Sequence, residues 1–353
     1  MAEISENLDT TKSKPAVKIN SLSWIERLTQ WIRSLPGPAW IPYLVMLLVL
    51  GFINIAVLWL AGVLPVGSID PENATDALWV VFYIGFFDYL SISAKNALKK
   101  FRPLSSTDES GYALLENKFT KLPARQGWVA LAIAIVVLSA SYFTSDTRTA
   151  FLSFPLITNV YQIFFRLLAM SSFLCLVFQS TRQIYLVSKL HREVKNVNLF
   201  HLGPAHAFSI LTSKMGMGLA LIATFGVFQL VFLHIAAVFA IFDLTLLLVA
   251  AAAFVLPLTG MRVKLLEERN AMLEKNDHRI EQMVNKFNLR IDADNLENID
   301  DYPRALQALR TERNALQKIS MWPWEIGTIR GFATTFLVPI FLWLITHYLD
   351  RFF

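Results

Sequence analysis

Long apolar runs alternate with charged gaps along this chain, and the runs have the length of membrane crossings. Runs over 39–64, 76–96, 127–144, 155–182 and 325–349 approach the roughly 20 apolar residues that a helix needs to cross hydrocarbon. A further stretch, from Met215 to Leu258, stays apolar almost throughout. As one helix it would be roughly 60 Å long, about twice the bilayer core, so it is predicted to fold as two spans with a tight turn near Phe239–Asp243. The predicted fold is all-α: a polytopic membrane protein with seven transmembrane helices, six within 39–260 and the seventh at 325–349.

The basic residues test that count. They crowd the segment before span one (Lys12, Lys14, Lys18, Arg27, Arg33), the gap after span two (Lys95 to Arg125) and the gap after span four (Arg182 to Lys214). The last block, Arg262 to Lys318, follows span six. Seven spans put all four segments on one side; six would strand the last block on the other. Lys and Arg favour the cytoplasmic side. The expected orientation is therefore a cytoplasmic N-terminus and an extracytoplasmic C-terminus, with the plasma membrane as the expected location.

Two helical pieces outside the spans follow from periodicity. After a polar tail over 1–20, expected to be disordered, residues 21–35 carry Trp24, Ile25, Leu28, Trp31, Ile32 and Leu35 on one helical face. Glu26, Arg27, Gln30 and Arg33 fall opposite, so this is predicted to be an amphipathic helix in the headgroup plane, anchored by Trp24 and Trp31. Residues 261–320 are predicted to form a cytosolic helical hairpin. Leu266, Leu273, Ile280 and Phe287 recur every seven residues, and Leu309 and Leu316 repeat the spacing on the return helix. Such stripes suit a coiled-coil-like antiparallel seam, with Arg269 and Asn276 as its imperfections. Trp322 and Trp324 then read as interface anchors where the chain re-enters the membrane.

Composition narrows the chemistry. The chain is 55% hydrophobic and 17% charged, below the roughly 25% charged residues of soluble domains. Its formal charge of +5 is explained by the basic gaps facing anionic lipid, so no nucleic-acid partner is expected. Cys175 is the one cysteine, which excludes an intrachain disulfide and a cysteine-based zinc site. No cofactor or metal is expected. No nucleophile–base pair stands out, so no catalytic residues are assigned and an enzyme is not expected.

The charged residues inside spans are the candidate sites. Arg166 lies well within span four and Asp88 within span two, each about eleven or twelve residues from the expected outer end. Their depths therefore match within a turn, which predicts an intramembrane ion pair, functional or structural. Gln162, His234 and Asp243 complete a polar pathway, with Asp243 expected as the cap of span six. The leading reading is an oligomeric channel or channel-like receptor, assembled through the hairpin. The alternatives are a secondary transporter with a midplane site at Asp88 and Arg166, and a scaffold whose 261–320 hairpin binds a cytosolic protein. In layout alone, without a shared residue motif, the chain is similar to insect chemoreceptor-type channels.

Overall fold

The computed structural model describes residues 21–69, 71–105, 107–142, 155–194, 197–232, 238–293, 301–322, 324 and 326–349. The described chain is helical, with no strand among the described residues. In order the helices are α1 (Trp24–Ser34), α2 (Trp40–Leu60), α3 (Pro71–Phe101), α4 (Glu109–Thr120), α5 (Ala124–Tyr142) and α6 (Leu156–Glu193). There follow α7 (Ala207–Phe232), α8 (Val238–Val255), α9 (Thr259–Asp292), α10 (Asp301–Lys318) and α11 (Ile326–Leu349). Six helical stretches are long and apolar enough to cross a membrane, lying within α2, α3, α5, α6, α7 and the α8–α9 rod. These are the helices of an integral membrane protein. The 24-residue α11 is a further apolar helix.

The apolar stretch from Met215 to Leu258 divides as its length requires, into α7 and α8 packed antiparallel. The division falls earlier than expected: α8 begins at Val238, so Phe239–Asp243 lie inside a helix. Small residues set how closely α7 is approached. A Cβ on Gly218 would sit 1.9 Å from Cζ of Phe86 on α3. One on Gly216 would meet Phe332 of α11 at 2.7 Å and the Ala250 carbonyl of α8 at 3.0 Å. Three neighbours thus use glycines of one helix as seats, the close packing that small residues allow between membrane helices. α7 is accordingly the centre of the bundle, and α2 is its most lipid-accessible flank, with Leu48 and Phe52 exposed.

One end of the bundle carries the charges. There α3 and α6 run on beyond their apolar stretches and pack with α4 around Phe101, Phe119 and Phe208. The two long helices run in the same direction in a fixed register. Tyr83 meets Phe173 at 5.3 Å and Phe101 meets His191 at 6.0 Å, so position n of α3 is level with position n+90 of α6. At this end α8 passes into α9 through a 3-10 turn, Leu256–Leu258. Pro257 causes it, because proline lacks the N–H that a continuous helix would use. The Pro257 carbonyl lies 2.9 Å from Nδ1 of the buried His191 on α6, which pins the joint.

The α9–α10 hairpin is antiparallel. Asn276 donates to Glu312 at 3.0 Å, Arg313 to Asp277 at 2.6 Å, and Phe287 lies 5.7 Å from Tyr302. Of the expected seam, Leu316 is buried, and Leu273, Ile280, Phe287 and Leu309 are half-buried. Leu266 departs from the expectation and is exposed, while Met261 and Leu265 are fully buried. The reason is a change of partner along α9: near the bundle it packs on α6, and only farther out on α10. A straight helix also drifts by about 20° per heptad against a seven-residue repeat. Asn276, expected as an imperfection, is 2% exposed and belongs to the seam.

α1 is held against the bundle, which its apolar stripe alone did not predict. Its Ser23 cap accepts from the Glu26 amide, and the segment before it bridges to the start of α5. The Ser23 amide donates to the Leu122 carbonyl at 3.1 Å, and the Ala124 amide to that of Ser21 at 2.7 Å. Ile25, Thr29 and Ile32 are buried against the bundle, and so is Glu26, expected on the solvent face. Burying the two isoleucines contributes about 1.5–3 kcal/mol each. Trp24 is half-buried on the core, and Trp31 is exposed to 60%. The helix therefore has a protein-facing edge and a separate exposed edge, which the single apolar stripe did not distinguish.

Candidate functional site

The expected Asp88–Arg166 pair does not form. Asp88 is buried, and three elements hold it: Arg33 from α1 makes an ion pair with its carboxylate, and the Tyr43 hydroxyl on α2 donates to Oδ2 at 2.8 Å. Close by in sequence on α3, Ser93 accepts from Lys214 at 3.0 Å, and the Lys214 ammonium lies 4.3 Å from the Tyr89 ring centre. Asp88 thus sits in a polar layer at the charged end, not at mid-depth. Arg166 lies on an exposed face of α6. The register of α3 and α6 sets it level with Asp76, about 12 residues or roughly 18 Å from the level of Asp88. The depth match failed because it assumed that both helices start level at the opposite end. An arginine so exposed can carry its head to the headgroup layer on its long stem.

Of the expected pathway, Gln162 is half-buried one turn before Arg166, and His234 lies outside the described residues. Asp243 is the position that the structure changes most. It is the sixth residue of α8 rather than its cap, and it is 4% exposed. Its carboxylate lies against the α7 backbone at Gly226, where a Cβ would come within 2.2 Å of Oδ1. Oδ2 is buried without a hydrogen-bond partner among the described residues. A run of aromatic rings crosses α8, α6, α3 and α7 nearby. Phe242 lies 6.1 Å from Phe173, and Phe173 lies 5.3 Å from Tyr83. Trp79 stacks on Tyr83 at 5.2 Å and meets Phe225 edge-on at 4.9 Å. Aromatic faces attract cations. A bare carboxylate in this surrounding is costly, so it needs a proton or a cation beside it.

The second buried acid is Glu26 on α1. Burial raises its pKa above the usual carboxylate range, against the opposing pull of the Gln30 hydrogen bond and of Arg33. The neighbouring cation does not fully offset the desolvation because Arg33 is already engaged by Asp88.

Arg33, Tyr43 and Glu26 are the site residues that sequence reasoning missed. Glu26 and Arg33 fell opposite the apolar stripe, Tyr43 lay within span one, and no spacing links positions 33, 43 and 88. Gly226 carried a weak signal, as a small residue within an apolar run.

Among the described residues no group of three or more His, Cys, Asp or Glu side chains is placed to hold a metal ion. Comparisons with protein-family models, curated proteins and solved structures found no match.

Proposed function

We propose that this chain is a non-enzymatic integral membrane protein that acts as an oligomeric channel or channel-like receptor, with Asp243 in its cation or proton pathway. In this reading α11 is the seventh crossing, the charged end with the hairpin is cytoplasmic, and the C-terminus is extracytoplasmic at the plasma membrane. The observation that carries the reading is the buried carboxylate of Asp243, whose Oδ2 has no hydrogen-bond partner among the described residues and which lies near aromatic side chains of α3, α6, α7 and α8. An ionisable group at such a place is retained against its cost when it serves a charge pathway. A secondary transporter that binds its coupling ion at Asp243 is the second reading, and the same carboxylate supports it.

The test is ion and proton flux from liposomes that hold the purified protein, wild type beside Asp243→Asn. The expected result is cation or proton flux that the substitution lowers at least tenfold, with the particle size unchanged. Step-like single-molecule currents mark a channel; slow, saturable, proton-coupled uptake marks the transporter. Wild-type flux that Asp243→Asn leaves intact removes Asp243 from the pathway. No flux for any ion across a range of voltage removes both readings, and directs the search to a cytosolic protein that binds 261–320.

A further inference from the structure

The α9–α10 hairpin has two flanks, and they are unlike in a complementary way. Asp277 and Glu281 point about half a helical turn away from Arg279 and Lys286, so acids and bases of α9 occupy opposite flanks. On the acidic flank, Asp277 and Glu281 line a groove with Arg310 and Arg313 of α10. On the basic flank, Arg279 and Lys286 line a second groove, of about 410 Å³, with Glu312 of α10. The signs therefore reverse on both helices between one flank and the other. The flanks also differ in shape. Leu266, Val284 and Ile291 stand exposed on the acidic side. The small residues Ala305 and Ala308 floor the groove on the basic side. The pairs Asp277–Arg313 and Phe287–Tyr302 set Val284 at the height of Ala305.

We propose that the acidic flank of one hairpin docks into the basic flank of the next copy of this chain, head to tail around an axis along the membrane normal. Copies embedded in one membrane share a direction. Side by side, α9 therefore meets α9 and α10 meets α10 at equal heights. Glu281 then faces Arg279 of its neighbour, Arg310 faces Glu312, and Val284 enters the groove floored by Ala305 and Ala308. An isologous contact between two acidic flanks turns α9 onto α10 of the other copy and also sets Glu281 against Arg310, but it leaves the groove floored by Ala305 and Ala308 uncovered on both copies. Contacts between unlike patches close into rings. The proposal rests on the oligomeric reading above and names the surface and the partner.

The experiment uses the full chain in lipid nanodiscs. Glu281→Cys and Arg279→Cys variants are made separately, differently tagged, mixed and treated with a short thiol cross-linker. The expected result is cross-linked dimers that carry both tags, and none from either variant alone. In parallel, Glu281→Arg or Arg279→Glu alone is expected to weaken assembly at least tenfold, and the two together to restore it. Both positions are exposed, so the reversals leave the folded chain intact, as thermal melting checks. Efficient cross-linking of Glu281→Cys to an Arg310→Cys copy, with none to Arg279→Cys, overturns the proposal in favour of an isologous contact. A wild-type oligomer that keeps its size in both single reversals overturns the proposed flanks while leaving the oligomeric reading in place. A monomeric wild type overturns both.

Discussion

The clamp on Asp88 makes a prediction whose size follows from its geometry. Asp88 is almost fully buried, whereas the side chain of Arg33 is 37% exposed. Breaking a fully buried pair by removing one partner costs about 3–5 kcal/mol, and an exposed pair is worth about 0–1 kcal/mol. This pair is intermediate, and Tyr43 still donates to Asp88 when Arg33 is gone. The coupling between the two is therefore expected near 1–3 kcal/mol, which a double-mutant cycle of Arg33→Gln and Asp88→Asn isolates. Arg33 is near the C-terminal end of α1, so its loss frees that end first. The assay is hydrogen exchange of the α1 amides in nanodiscs. Since 1.4 kcal/mol is a factor of ten, Arg33→Gln is expected to speed their exchange about 5–140-fold. The same cycle run between Asp88 and Arg166 is expected to give about zero. Coupling of Asp88 to Arg166, or α1 exchange unchanged by Arg33→Gln, refutes the clamp.

Three further outcomes follow from particular contacts. Glu26 has its pKa raised by burial, so the docked state of α1 takes up a proton between the ordinary value of 4.5 and its own higher one. Docking therefore strengthens as pH falls through that window and weakens as pH rises through it, with no further change above it, and Glu26→Gln should remove the dependence from the exchange profile. Gly218→Leu would drive a side chain into the ring of Phe86, so a loss of thermal stability of about 1–3 kcal/mol is expected, and Phe86→Ala should recover part of it. Asn276→Leu places an apolar residue in the hairpin seam; it is expected to raise thermal stability while loosening the register, read as a weaker Asp277–Arg313 cross-link in cysteine-substituted pairs.

The sequence by itself determined the class of molecule, because hydrocarbon accepts only long apolar helices and the length of the Met215 to Leu258 stretch requires two of them. It also determined the hairpin, whose local spacing marks both helices before any long-range contact is known. Local periodicity tells which residues share a face, but not what covers that face. The same apolar stripe on α1 serves lipid or protein equally well, and only tertiary packing buried Ile25 and Ile32 on the bundle. Depth was illegible for a related reason. Asp88 and Arg166 looked level when counted from the expected ends of their spans, yet the side-by-side register of α3 and α6 is set by contacts such as Tyr83 on Phe173. Tertiary structure alone brought Arg33 to Asp88 across 55 residues of chain and laid Asp243 against Gly226. Such pairings depend on how helices dock, and docking is decided by the fit of whole surfaces, which no local spacing encodes.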